Sequence, residues 1–245
     1  MELAPLELLF EPEGLPAFNL PAAVSALYPG TFGYERDRVV ANFVSTVDGV
    51  VAIPTLASSN KLIASGSAAD RFVMGLLRAT CDALVIGSQT MQASPRSVWS
   101  AEQAYPPVAE LFADLRLAAG FSGLPEIVVL TRSGDLDPAH PLWEAGALVI
   151  TNDHGAGAIG QRLPSATEVL SVGDTPSVAA PAVVAALNAR GHRTILTEGG
   201  PTVFGEFVGA GVVDELFLTV SPILAGRHPI DPRRSEEHTS ELQSH

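Results

Sequence analysis

Short, continuously apolar runs recur along this chain, separated by stretches whose apolar residues return every three or four positions. The runs at 39–45, 83–87, 126–131, 147–151, 168–172, 194–197 and 214–220 read as β-strands. The run at 83–87 has no alternating polar positions, the mark of a strand covered on both faces. Between the strands, Phe72, Val73, Leu76 and Leu77 fall on one helical face. Ser67 and Asp70 stand ahead of it at the spacing of a capping box, with Asp in place of Glu or Gln. Further helices are expected at 108–119, stopped by Gly120, at 178–190, with Gly191 just past its end, and at 202–208. This alternation predicts an α/β fold: a mostly parallel, doubly wound sheet with helices on both faces.

The ends of the chain break the pattern. Residues 1–38 are rich in Pro, Leu and Glu, show no sustained period, and read as an N-terminal arm with a short helix near 21–27. Residues 39–232 contain neither a repeat nor a linker and read as one domain. Residues 233–245 (RRSEEHTSELQSH) are polar and aperiodic. They carry too little apolar surface to fold alone and read as a non-native-looking, disordered tail.

Composition narrows the function. A chain of 245 residues, 47% hydrophobic and 17% charged, can bury a sizeable core. No apolar run approaches the length of a membrane helix, and the start has no secretory pattern, so a cytoplasmic protein is expected. A net charge of −13 repels nucleic acid and anionic lipid. Any phosphate ligand must therefore be held by local groups against the general field. The single cysteine, Cys81, excludes an internal disulfide and reads as a small buried hydrophobe. The six histidines show no metal-ligand spacing, and no metal is assigned.

Candidate chemistry gathers at strand ends. Thr197-Glu198-Gly199-Gly200-Pro201-Thr202 passes from a strand through two glycines into a helix. Paired glycines let backbone approach a ligand closely, and a helix start presents unpaired N–H groups to an anion. Glu198 suits a hydrogen-bond acceptor for a polar ring or ribose, or a proton relay; a carboxylate favoured by the helix dipole explains it equally well. Asp48, in Thr46-Val47-Asp48-Gly49, is a site carboxylate or simply the Asp of a tight turn. Gly87-Ser88-Gln89-Thr90 is a ligand loop or an ordinary strand-to-helix turn. Arg132 can fork around a phosphate or stand exposed in its loop. Arg78 and Arg96 are further candidate grips for an anion. The run Gly155-Ala156-Gly157-Ala158-Ile159-Gly160 is not taken as a dinucleotide fingerprint, because no apolar strand runs directly into it.

Taken together, the blocks at 42–49, 77–79, 82–90, 198–202 and 213–216 resemble the reductase domain of riboflavin biosynthesis, within the dihydrofolate-reductase-like family. The resemblance implies an NADPH-dependent reductase of a ribosylamino-pyrimidine phosphate. Hydride would pass from nicotinamide to the ribose C1 and leave a ribityl chain. It places Val44, Thr90, Ser94, Arg132, Gly199, Gly200, Pro201, Thr202, Val203, Phe204, Gly205 and Glu206 at the cofactor. Asn42, Arg78, Arg96 and Glu198 would meet the substrate, with Glu198 and Asp48 as the catalytic carboxylates. It also implies a homodimer, with no nucleic-acid or membrane partner. This chain departs from many members at Asn42, where they carry Lys, and at Ser94, where they carry an acid. Members also continue to a last strand where this chain has its polar tail. Two alternatives follow: an NADPH-dependent reductase of another small molecule, and a nucleotide-binding dimer module without catalysis.

Overall fold

The computed structural model of the chain describes residues 3–53 and 59–226. In chain order its elements are α1 (Ala22–Leu27), β1 (Arg38–Thr46), α2 (Ser59–Ala64), α3 (Ala68–Ala79), β2 (Ala83–Gly87), α4 (Ser88–Gln92), α5 (Ala101–Ala104) and α6 (Ala109–Ala118). There follow β3 (Glu126–Leu130), β4 (Ala147–Thr151), α7 (Asp153–Ile159), β5 (Thr167–Ser171), α8 (Ala180–Ala189), β6 (Thr194–Thr197), α9 (Pro201–Gly209) and β7 (Glu215–Ser221). The seven strands form one sheet in the order β5-β4-β3-β2-β6-β1-β7. Every pairing is parallel.

The period-2 geometry of strands sorts the side chains onto two faces. On one face Val40, Leu84, Ile86, Val129 and Leu196 pack with Phe72, Leu76 and Leu77 of α3 and with Phe112 and Leu115 of α6. On the other, Val39, Val85, Val128, Leu148 and Ile195 pack with Val183 and Leu187 of α8 and Phe207 of α9. Helices on both faces explain why β2, β4 and β6 are buried at every position. The Ser67 half of the capping box forms, its Oγ accepting from the Asp70 N–H at 3.2 Å, while the Ser67 N–H donates to the Ala64 carbonyl.

The arm is not loose. Phe18 and Tyr28 pack edge-on against Phe32, Phe18 also meets Tyr34, and Phe32 and Tyr34 reach Phe217 on β7. Val24, Phe32 and Tyr34 are buried in the first core. Isolated aromatics on extended chain dock without leaving a period in the sequence. Four short helices also escape the periodicity: α2, α4 in the Ser88–Gln92 turn, α5, and α7 over most of the glycine run at 155–160. The segment 50–53 after the Asp48-Gly49 turn forms no strand. The tail 233–245, and whatever stands in place of a last strand, lie outside the described residues.

Among the described residues no helix is long and apolar enough to cross a membrane. Cys81 is fully buried, its thiol 3.5 Å from the Arg78 carbonyl, and burial pushes its pKa up.

Candidate functional site

Loops at the carboxyl ends of parallel strands are where open α/β sheets hold ligands. Here the loops after β2, β3, β4, β5 and β6 enclose a cavity of about 760 Å³, within the usual range for small-molecule sites. Thr90, Arg132, Gly200, Thr202, Val203 and Glu206 line it. The remaining expected cofactor positions, Val44, Ser94, Gly199, Pro201, Phe204 and Gly205, are not among the lining residues. Phe204 instead stacks on Phe43, ring centroids 4.2 Å apart.

Glycine shapes the inner wall. A Cβ built on Gly199 falls 2.5 Å from Val203 Cβ, and one on Gly87 lies 3.1 Å from Val203 Cγ2. A Cβ on Gly200 lies 3.2 Å from Thr90 Oγ1. The turn after β6 thus seats the first turn of α9 against β2 and α4 with no room for side chains between. Pro201 occupies the first position of α9, where its missing N–H is harmless.

Beside this wall, on the α3 face, lies a buried polar cluster. Arg78 Nη2 donates to Glu198 Oε2 at 2.6 Å, and Arg78 Nε lies 3.1 and 3.2 Å from the two carboxylate oxygens. Both side chains are less than a tenth exposed. Arg78 Nη1 donates to the Ser100 carbonyl at 3.1 Å, and Asn42 Nδ2 lies 3.5 Å from Glu198 Oε1. The main chain holds the carboxylate in place, since Glu198 N donates to the Val85 carbonyl at 3.0 Å. The structure therefore unites Glu198, Arg78 and Asn42, three residues the sequence named separately.

The cluster includes a residue that sequence reasoning saw only as a cap. Asp70 is buried, and desolvation raises its pKa, helped by the charge of Glu198 and opposed by a hydrogen bond from Thr219. Its capping-box position gave no signal of this second environment.

Asp48 and Arg96 stand apart. The Asp48 carboxylate accepts from Thr46 Oγ1 at 2.5 Å and from the N–H groups of Ala225 and Gly226 at 3.3 and 2.9 Å. The Thr46 bond first, then those N–H groups, hold its pKa below the usual carboxylate value. These bonds tie Asp48 to the segment after β7. Arg96 is exposed, and its carbonyl accepts from Gln103 Nε2 at 3.0 Å. Ser94 offers its carbonyl to the His140 ring at 3.2 Å.

The outer end of the cavity was not foreseen. Asn152, His154, Asp174, Thr175 and Val178 line it, on loops that carry no motif. The glycine run corrects one reading. β4 ends at Thr151, only four residues before Gly155, and the run to Ile159 lies in α7. A strand-to-helix junction does stand there, with Asn152 Oδ1 capping the helix through the Gly155 N–H at 2.8 Å.

The family model of the RibD C-terminal domain matches residues 37–243. No curated protein matches. Among solved structures, a pyrimidine reductase-like protein from Corynebacterium diphtheriae is 24% identical, with 77% of this chain and 75% of that one covered and a TM-score of 0.59. RibD from Acinetobacter baumannii is 21% identical, with coverages of 78% and 48% and a TM-score of 0.57. A diaminohydroxyphosphoribosylaminopyrimidine deaminase/5-amino-6-(5-phosphoribosylamino)uracil reductase from Thermotoga maritima is also 21% identical, covered 78% and 46%, with a TM-score of 0.55. The chain spans about half the length of these last two proteins. At these identities the likeness speaks for the fold.

Proposed function

Since this chain belongs to the RibD C-terminal domain family, we propose that it is an NADPH-dependent reductase of a ribosylamino-pyrimidine phosphate, of the 5-amino-6-(5-phosphoribosylamino)uracil type. The observation that carries this reading is one juxtaposition. A glycine-walled cavity at the strand ends lies beside the buried Arg78–Glu198 pair, and Glu198 adjoins Gly199 in the turn. The wall fits a dinucleotide: Gly200 leaves backbone bare, and Arg132 offers a guanidinium to a phosphate. Bound NADPH would supply a hydride to C1 of the opened ribosylamine, giving the ribityl chain.

The chain's own residues do the positioning. Thr90, Gly200 and Thr202 hold the cofactor's phosphates and ribose against the inner wall. Glu198 accepts hydrogen bonds from the substrate's amine and hydroxyl groups. Arg78 fixes the orientation of that carboxylate through Nε and Nη2, and its remaining nitrogen, Nη1, donates to the Ser100 carbonyl. Asp70 is buried, and desolvation raises its pKa, with the charge of Glu198 adding to the shift. Asn42 cannot supply a cation, which favours a second reading: the same reductase chemistry on another small molecule.

Titration of NADPH and NADH, followed by nicotinamide fluorescence, tests the cofactor. NADPH binds more tightly than NADH, and Arg132→Ala weakens NADPH by about tenfold, the loss of one charged hydrogen bond, while sparing NADH. Failure of the folded protein to bind either overturns the reading. NADPH binding with no turnover of the pyrimidine phosphate moves the choice to the second substrate class.

We propose a homodimer as well. On β7, Leu216, Leu218 and Val220 are each about half exposed on the face that α8 and α9 leave bare. They continue the row of Ala41, Phe43 and Ser45 on β1. An apolar row on a sheet edge is a candidate contact between copies. Leu218→Arg converts the dimer to a monomer in sedimentation velocity. A monomeric wild type, or a variant that stays dimeric, removes this face from the assembly.

A further inference from the structure

Among the described residues, three other than glycine have a positive φ: Asp37, Ser65 and Trp99. Asp37 and Ser65 are small, polar and exposed. Trp99, in the loop between α4 and α5, has φ 53° and is 3% exposed. A bulky residue is strained in this region, and a turn that needed only the shape would carry glycine. Such strain persists only where the surroundings over-determine it, and it marks places where the backbone direction matters.

The surroundings of Trp99 hold it from three sides. Its indole lies against the buried His140 ring, centroids 5.9 Å apart and 32° between planes. Two bonds lock that ring. The Leu142 N–H donates to Nδ1 at 3.3 Å, and Nε2 donates to the Ser94 carbonyl at 3.2 Å. The neutral Nε2–H tautomer satisfies both partners. Gln103 of α5 grips the main chain ahead of Trp99. Its Oε1 accepts from the Val98 N–H at 2.8 Å and from Ser97 Oγ at 3.0 Å, and its Nε2 donates to the Arg96 carbonyl at 3.0 Å. Just after Trp99, Ser100 Oγ accepts from the Gln103 N–H at 3.1 Å. The chain is thus fixed one residue before Trp99 and one residue after it.

The strained residue delivers the next carbonyl to the buried ion pair. Arg78 Nη1 donates to the Ser100 carbonyl at 3.1 Å, while Nε and Nη2 hold Glu198. A guanidinium is a rigid planar fork. Bonds to one carboxylate leave the pair able to swing together, and a third bond, from an independent loop, sets its plane. We propose that Trp99 is a positioning residue: its left-handed backbone, held by His140 and Gln103, aims the Ser100 carbonyl at Arg78 and so orients the Glu198 carboxylate toward the substrate. The proposal rests on the reading of Glu198 as the acceptor that meets the substrate. Residues 93–100 are not among those lining the cavity, so the loop acts on substrate alignment and leaves cofactor affinity alone.

The test compares wild type with Trp99→Gly, Trp99→Phe and Gln103→Met. Glycine removes the ring and relieves φ, phenylalanine keeps a ring against His140, and methionine keeps the length of Gln103 without its side-chain bonds. Hydrogen exchange at the ¹⁵N-labelled Arg78 Nε–H reads the ion pair without any substrate. In Trp99→Gly and Gln103→Met it speeds up by about tenfold, as local opening does, and in Trp99→Phe it stays near wild type. Steady-state reduction of the ribosylamino-pyrimidine phosphate follows the same order. In Trp99→Gly and Gln103→Met kcat falls by about tenfold, the effect of a slightly misplaced orienting group, while the Kd for NADPH stays at the wild-type value. Unchanged Arg78 exchange in either folded variant overturns the proposal whatever the activity, and so does faster exchange with unchanged kcat. Should Trp99→Gly fail to fold, Gln103→Met decides. A wild type that binds NADPH but turns over none of this substrate overturns the reductase reading instead, and the Arg78 exchange then decides the positioning by itself.

Discussion

Replacing Glu198 by glutamine lowers turnover of the ribosylamino-pyrimidine phosphate by at least about 100-fold, the scale of a lost acid–base or orienting group. It also destabilises the fold by about 3–5 kcal/mol, the usual cost of leaving a buried charge without its partner. Both effects follow from one geometry. Arg78 spends Nε and Nη2 on the Glu198 carboxylate, and both side chains are buried. Glutamine keeps an acceptor oxygen but removes the negative charge, so the guanidinium remains buried beside a neutral amide. The two effects separate in the double variant Arg78→Met/Glu198→Gln. Removing both charges recovers most of the stability, because well-packed neutral residues replace buried ion pairs at little cost. Turnover stays low, because the acceptor that faces the substrate is still missing. Urea unfolding and NADPH consumption are the two readouts. Recovered turnover in the double variant would make Glu198 a purely structural partner of Arg78. An unchanged unfolding midpoint in Glu198→Gln would show that the pair contributes nothing to folding.

The sheet was legible because its signal is local. A strand buried on both faces must be apolar at every position, and 83–87, 147–151 and 194–197 declare themselves that way. The order of the strands was not legible. β1 lies between β6 and β7, and its register with β6 joins Val39 to Ile195 across more than half the chain. The site divides along the same line. Glu198-Gly199-Gly200 announced itself, since a strand ending in two glycines ahead of a helix is a local pattern. The Arg78–Glu198 pair is not local; its partners stand 120 positions apart and meet only when α3 is laid over β6. Asp48 read more readily as a turn residue than as a site carboxylate, and its bonds to Ala225 and Gly226, more than 170 positions away, could not be read from the sequence. His154, Asn152 and Asp174 left no trace because a cavity wall needs only a side chain aimed inward, whatever its neighbours in sequence. α7 was missed for a related reason. Its two glycines lower its helix propensity, and the helix forms with Asn152 capping it and Ile159 buried in the first core.

Alanine at position 199 lowers NADPH affinity by at least about tenfold, although it adds a single methyl group. The reason is room, not backbone conformation. The new Cβ would stand 2.5 Å from both Cβ and Cγ1 of Val203, well inside non-bonded contact distance. Val203 cannot yield by rotation, because a β-branched side chain in a helix has one favoured rotamer and its own Cβ is part of the clash. α9 must therefore move away from the turn, and it carries Thr202, Val203 and Glu206 with it out of the cavity wall. Overpacking of this kind costs about 1–3 kcal/mol in stability. Gly205→Ala is the matched control four residues past Pro201 in the same helix. No atom lies within 4 Å of its built Cβ, and alanine in a helix interior is favoured over glycine by about 0.5–1 kcal/mol. That variant melts higher and binds NADPH as the wild type does. A Gly199→Ala protein with wild-type NADPH affinity would dismiss the glycine turn as the cofactor's seat, whatever its effect on stability.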